Sequence, residues 1–407
     1  MTSTLALLSL VSCTAWPEAP YPPRNAPRAA SLALCQPGVA AIVDGQPFTD
    51  VRDAVEATST EIDLVEVCPG EHPTLGPRLY LAYNNVRIVG LDESATITGP
   101  GGLRLSRYDL DAGLHIERVT FVDFTLHYTI CTGCYEPRPV SHLELNSLRL
   151  HESLLNGSEF CTATVSDVSS VDAPRRGDNP DVLGVWAQSR VDVEQVSLIN
   201  GHLAVSIGHD DAPGSMHVRD VTLRDTTFTE GALPVFRVYS AVNNHADITL
   251  ERIDITHNTL ASPWRDGVNQ QGALSFILEP NFRIGSVDLL IDDCTFDDNR
   301  GGLISHLAIK SHPETTVQAT IRNSRFWRGG WAPIHGAGDG WETDTFNGAV
   351  IGVTQFDPDV TLTLEDVDFG TGDLRNLGRT FDFCEQPRFE GVHSLTISPT
   401  GDQDDCP

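Results

Sequence analysis

Apolar residues recur along this chain at a spacing that neither a helix nor a single strand produces. Nine segments carry them at offsets 0, 2, 5 and 7, beginning at Leu114, Leu143, Ala163, Val191, Met216, Ile248, Leu289, Ala319 and Leu362. Of these thirty-six positions only Ser170 and Ser324 are polar. Offsets 0 and 2 alternate as residues on one face of a strand do, and so do 5 and 7. Between them the phase slips, with offsets 3 and 4 both polar and outward, as in Asp292-Asp293, Arg322-Asn323 and Glu365-Asp366. Two short strands joined by a two-residue bend satisfy that pattern.

A third strand, opened by glycine, follows most of these units: Gly201 to Ile207, Gly231 to Val235, Gly272 to Leu278, Gly301 to Ile304 and Gly348 to Ile351. Asn200, Asn299 and Asn347 stand just ahead of such glycines, where a sharp turn needs residues tolerant of positive φ. Three short strands per repeat, stacked in parallel on the next repeat, predict an all-β parallel β-helix of about nine or more coils. Thr49 to Ala57 reads as a short amphipathic capping helix at the N-terminal end. The surplus residues in the longer repeats must leave as loops.

Composition limits the partners. With 27 Lys and Arg against 56 Asp and Glu, the net charge is −29, which repels nucleic acid and anionic membranes. An anchor would therefore have to be a lipid. The apolar run from Leu5 ends in Leu10-Val-Ser-Cys13 and resembles a bacterial lipoprotein signal in which Cys13 is acylated, although no Lys or Arg precedes it. Residues 14–34, with Pro17, Pro20, Pro22, Pro23 and Pro27, read as an extended tether. The division expected is thus 1–13 signal, 14–34 tether, 35–85 cap and first strands, 86–383 β-helix and 384–407 C-terminal cap. Localisation would be extracytoplasmic, as an outer-membrane or cell-surface lipoprotein or a secreted protein.

The cysteines agree with export. Cys35 and Cys68 bracket the first folded segment and Cys384 and Cys406 the last, so both pairs are expected as disulfides. Cys131-Thr-Gly-Cys134 is read as a structural disulfide in a loop; the zinc alternative needs further ligands, for which Cys161 and His142 are the nearby residues. Cys294 falls at an inward position, as a buried thiol. The histidines show no metal-ligand spacing such as HExxH, and no metal is assigned.

Cys35, then Phe48 to Val55, then Val65-Glu-Val-Cys-Pro-Gly70 is similar to the entry module of exported β-helix proteins. Over roughly residues 35–400 the chain resembles the right-handed, pectate-lyase-like superfamily. Its members include lyases, hydrolases, esterases and adhesins, so the resemblance implies the fold more than the activity. It would place pectic chemistry on outward aspartates of the sheet formed by the glycine-led strands. The outward positions read here are His202, Ala204 and Ser206; Ala232 and Pro234; Ala273, Ser275 and Ile277; Ile304 and His306; Ala349 and Ile351, none a carboxylate. Asp178, Asp181, Asp210 and Asp211 resemble the stretch where lyases hold calcium, but are read as solvated loop acids. No cofactor is assigned, with Ca2+ as the alternative.

Four of the six tryptophans fall in two long loops. One carries Trp264, Arg265 and Asp266. The other carries Trp327, Trp331, His335, Asp339 and Trp341. Between them lies a short corner with Asp297, Asp298 and Arg300. Two tall loops flanking a low one predict a groove walled by aromatic rings, which stack on sugar faces, and floored by charged groups that bond hydroxyls. The function expected is a non-catalytic carbohydrate-binding or structural, adhesive protein whose partner is a polysaccharide or cell-surface glycan. The alternative is a polysaccharide lyase or glycoside hydrolase with a non-standard site.

Overall fold

The computed structural model describes residues 28–59, 64–74, 79–81, 85–99, 102–106, 113–129, 142–171, 182–208, 213–228, 234–240, 245–260, 273–278, 285–301, 304–311, 315–328, 330–331, 349–354, 359–368 and 392–397. The architecture is all-β and dominated by parallel pairing between successive repeats, consistent with a solenoid. Offset-zero residues stack in one unbroken column: Leu114 on Leu143, then Ala163, Val191, Met216, Ile248, Leu289, Ala319 and Leu362. Val86 extends the column before Leu114, and Leu395 extends it after Leu362. The strand Val392–Ile397 therefore continues the stack into the span expected to be a C-terminal cap.

All thirty-five template side chains that can be assessed are buried; the remaining one, Phe369, lies outside the described residues. The offset-seven column runs through Phe121, Leu150, Ser170, Leu198, Leu223, Ile255, Phe296 and Phe326. At its far end the rings of Phe296 and Phe326 stack with centroids 4.6 Å apart. Each large apolar side chain so buried contributes about 1.5–3 kcal/mol relative to exposure.

The phase slip has a backbone cause. In all nine repeats the offset-four residue adopts positive φ: Arg118, Ser147, Asp167, Gln195, Asp220, Arg252, Asp293, Asn323 and Asp366, between 50° and 55°. Left-handed backbone turns the chain without consuming a residue on the inward face, so the apolar register resumes at offset 5. A second such turn falls at offset 9, at Asp123, Glu152, Asn200, Asp225, His257, Asp298 and Arg328.

Asn299 departs from the expectation. Asp298 takes the positive φ, and Asn299 turns inward at offset 10, where Thr226 and Asn258 occupy the two rungs before it. There the side chains form a buried ladder. Thr226 N donates to Asn258 Oδ1 (2.9 Å), and Asn258 Nδ2 donates to Asn299 Oδ1 (2.9 Å) and to the Leu223 carbonyl (3.2 Å). Asn299 Nδ2 donates to the Ile255 carbonyl at 2.7 Å. These amides satisfy backbone groups that the turn removes from the strand ladder.

At the N-terminal end the helix Val51–Glu56 is capped by Asp50, whose carboxylate accepts from Arg52 N at 2.7 Å. Its buried residues Val51, Ala54 and Val55 join the core beside Ala41, Val43 and Val65. Ala41–Val43 pairs antiparallel with Gln46–Phe48 and with Leu64–Val67. Cys35 and Cys68 form the expected disulfide, with S–S 2.01 Å. Cys294 is a buried free thiol, as its inward offset predicts, and burial pushes its pKa up to about 12. Cys13, Cys384 and Cys406 lie outside the described residues, as do Cys131 and Cys134. Cys161 is itself disulfide-bonded, which removes it as a zinc ligand.

Candidate functional site

Three places bear on function, and the first is the corner predicted to hold the groove. Four short strands line it in parallel: Thr227–Phe228, Thr259–Leu260, Arg300–Gly301 and Gly330–Trp331. Thr259 pairs with Arg300, and Gly301 pairs with Trp331, so both tryptophan-bearing segments leave from rungs adjacent to the short corner. Trp264, Arg265, Asp266, His335, Asp339 and Trp341 lie outside the described residues, and Arg300 and Trp331 are described in their backbone alone. Asp297 accepts a two-pronged ion pair from Arg328, with Nε 2.7 Å from Oδ1. That guanidinium holds the Asp297 carboxyl below its usual range. Asp298 serves as the left-handed turn residue.

The second surface is the outer face of the third sheet, whose register the glycine-led reading had only in part. The strands are Leu203–Ile207, Phe236–Ser240, Leu274–Leu278, Ile304–Ser311 and Ala349–Thr354, joined to the Leu183–Ala187 part of Leu183–Ile199. After Gly231 the strand begins at Phe236, five residues later than the glycine. His202, Ala273 and His306, expected outside, are buried. His202 and Ala273 precede their strands, where the chain is still turning. A register shift between Ile304 and Leu307 turns His306 inward, against Phe296 and Phe326. Ala204 and Ser275 keep outward parity but are covered. None of these strands contains a carboxylate.

What this face carries is aromatic. Trp186 pairs with Ser206, and Ser206 with Tyr239, so the three stand in one column on successive rungs. All three are partly exposed, whereas Val185, Ala187, Val205, Ile207, Val238 and Ser240 beside them are buried. At roughly 4.8 Å per rung, the two rings stand about 10 Å apart. The Trp186 indole is oriented by donating Nε1–H to the Gly208 carbonyl at 3.1 Å. In the next column, partly exposed Asn156 and Arg237 flank Gly184 and Ala204. A Cβ on Gly184 would meet the Asn156 carboxamide at 3.2 Å, so the glycine gives that amide its place. Rings for stacking, an amide, a hydroxyl and a guanidinium thus share one face. Trp186 and Tyr239 were missed at the level of sequence, although Leu183-Gly-Val-Trp-Ala187 and Phe236-Arg-Val-Tyr-Ser240 alternate plainly once the strand starts are known.

A third cluster is titratable. His115 Nδ1 lies 2.8 Å from Glu144 Oε2 on the next rung, and its Nε2 lies 3.4 Å from Glu117 Oε2. Burial opposes the charged imidazole, yet the two carboxylates outweigh it and raise the His115 pKa. The hydrogen bond from His115 lowers that of Glu144 against burial. Burial lowers that of His142, whose Nδ1 lies 2.7 Å from Thr162 Oγ1. Asp178, Asp181, Asp210 and Asp211 lie outside the described residues.

No protein-family model matches the chain, and neither a curated protein nor a solved structure matches it significantly. Among the described residues no helix is long and apolar enough to cross a membrane, and the Cys35–Cys68 bond is consistent with an extracytoplasmic setting.

Proposed function

We propose that this chain is an exported, right-handed parallel β-helix of the pectate-lyase-like kind that binds glycan without cleaving it. The observation that carries this reading is the Trp186–Ser206–Tyr239 column, carried by the segments Leu183–Ala187, Leu203–Ile207 and Phe236–Ser240, none of which holds a carboxylate. Two rings about two rungs apart offer successive stacking platforms to an extended saccharide, and Asn156 and Arg237 offer hydrogen bonds to its hydroxyls. Cleavage of a glycosidic bond would need convergent acid and base groups there. The corner strands Arg300–Gly301 and Gly330–Trp331 support a second contact surface for the same ligand. A lipid on Cys13 would hold the molecule at a cell surface.

A second reading, hydrolase or lyase, draws on the His115–Glu144–Glu117 cluster, where an imidazole and two carboxylates meet on an outer face. A glycan array run alongside a polysaccharide depolymerisation screen separates the two. Binding without new reducing ends or unsaturated products supports the first reading, and products that disappear in Glu144→Gln support the second.

A further inference from the structure

The outer face just ahead of the Ile248 and Leu289 repeats brings a His-x-Asp pair on one strand together with an aspartate from the next rung. His245, Asp247 and Asp288 present one donor atom each, and the three atoms all lie within 4.8 Å of one another. Parallel pairing produces this: Asp247 lies directly opposite Asp288, and His245 opposite Ser286. His245 Nε2 is 3.2 Å from Asp247 Oδ1 and 3.8 Å from Asp288 Oδ2. From these observations we propose that His245, Asp247 and Asp288 form a solvent-open site for a divalent transition-metal ion of the Zn2+, Co2+ or Ni2+ type.

Three features lead there. Two carboxylates stacked one rung apart repel each other, and like charges directly opposite destabilise a sheet. Among the described residues the side chain that meets both carboxylates is the His245 imidazole itself. Next, the imidazole is held from behind: Nδ1 lies 2.9 Å from Ser286 Oγ. With Nδ1–H donated to that hydroxyl, the lone pair on Nε2 faces two anionic oxygens, an arrangement that a cation between them stabilises. A metal-bound histidine shows this same outer hydrogen bond, which fixes ring orientation and tautomer.

The third feature is spacing. A tetrahedron with bonds of ~2.1 Å has an edge of ~3.4 Å, between the two measured separations. One imidazole nitrogen with two carboxylate oxygens is a borderline donor set, suited to Zn2+ and its neighbours rather than to Ca2+ or Mg2+, which favour oxygen alone. Water would complete the coordination. His245 and Asp288 lie 43 positions apart, so the grouping exists only through the stacking register.

The test uses the full chain, stripped with EDTA and dialysed, titrated with ZnCl2 by calorimetry and with CoCl2 by visible absorption. The expected result is one Zn2+ equivalent bound more tightly than the diffuse binding of an acidic surface, with a Co2+ spectrum showing nitrogen ligation. His245→Ala and Asp288→Asn should remove that equivalent. Ser286→Ala should weaken it about tenfold, and Glu93→Gln, an exposed acid elsewhere, should leave it intact. Circular dichroism of each metal-free variant separates loss of the site from loss of the fold. Titration identical in wild type, His245→Ala and Asp288→Asn overturns the proposal. So does a preference for CaCl2 that His245→Ala leaves unchanged.

Discussion

The carboxamide nitrogen of Asn299 lies 3.1 Å from Nδ1 of His306, and both side chains are fully buried. The amide N–H donates to the imidazole nitrogen, so the ladder that begins at Thr226 ends on a histidine that must stay neutral to accept. Burial drives the His306 pKa from 6.5 down to about 4. The unfolded chain therefore takes up a proton near pH 6.5 that the folded chain refuses until about pH 4. The contribution of His306 to stability is complete above that upper value and declines as pH falls through the window, by on the order of 3 kcal/mol. Denaturant midpoints measured between pH 7 and pH 4.5 should fall less steeply for His306→Gln than for wild type. Equal slopes would mean that His306 is not held neutral in the core.

The bend residues give a second test. Gln195 is exposed, has φ 54° and lacks the local hydrogen bonds that let Asn or Asp tolerate that conformation. Gln195→Val should cost about 1–2 kcal/mol, because a β-branched side chain clashes in left-handed backbone. Gln195→Gly should not destabilise, although glycine in an ordinary strand would. Urea unfolding of the two variants checks this, and the reverse order would remove the turn from offset 4.

Reduction addresses the N-terminal end. The Cys35–Cys68 bond closes a separation of 33 residues, which in the chain-entropy account restrains the unfolded state by about 3–4 kcal/mol. Cys35→Ala with Cys68→Ala should lower the thermal midpoint, and dithiothreitol should lower that of wild type but not of the double variant at this end. An unchanged midpoint in the double variant would show that this segment unfolds separately from the stack.

Much of the interior was legible in sequence because it rests on local alternation. Ile116, Val193, Leu250, Ile291 and Leu364 needed no knowledge of their neighbours, and each is buried. The third sheet was less legible. Its strand starts depend on turns of unequal length, so Gly231 misplaced Phe236–Ser240, and the irregularity between Ile304 and Leu307 hid the inward turn of His306. Trp186 and Tyr239 become neighbours only across rungs, with Ser206 between them. The His245, Asp247 and Asp288 grouping arises in the same way. Asn299 was rightly singled out and wrongly placed: a left-handed turn does occur at this corner, but Asp298 makes it.

Glycan binding at the Trp186 face is tested most directly by one measurement: calorimetric titration of an oligosaccharide selected on the array into wild type, Trp186→Ala and Tyr239→Ala. Losing one stacked ring should weaken binding by about 1–3 kcal/mol, roughly tenfold or more in Kd. The released heat should reflect binding alone, with the oligosaccharide recovered intact afterwards. Affinity unchanged in both variants, or a saccharide recovered as shorter fragments, would contradict the reading of this face as a non-catalytic glycan platform.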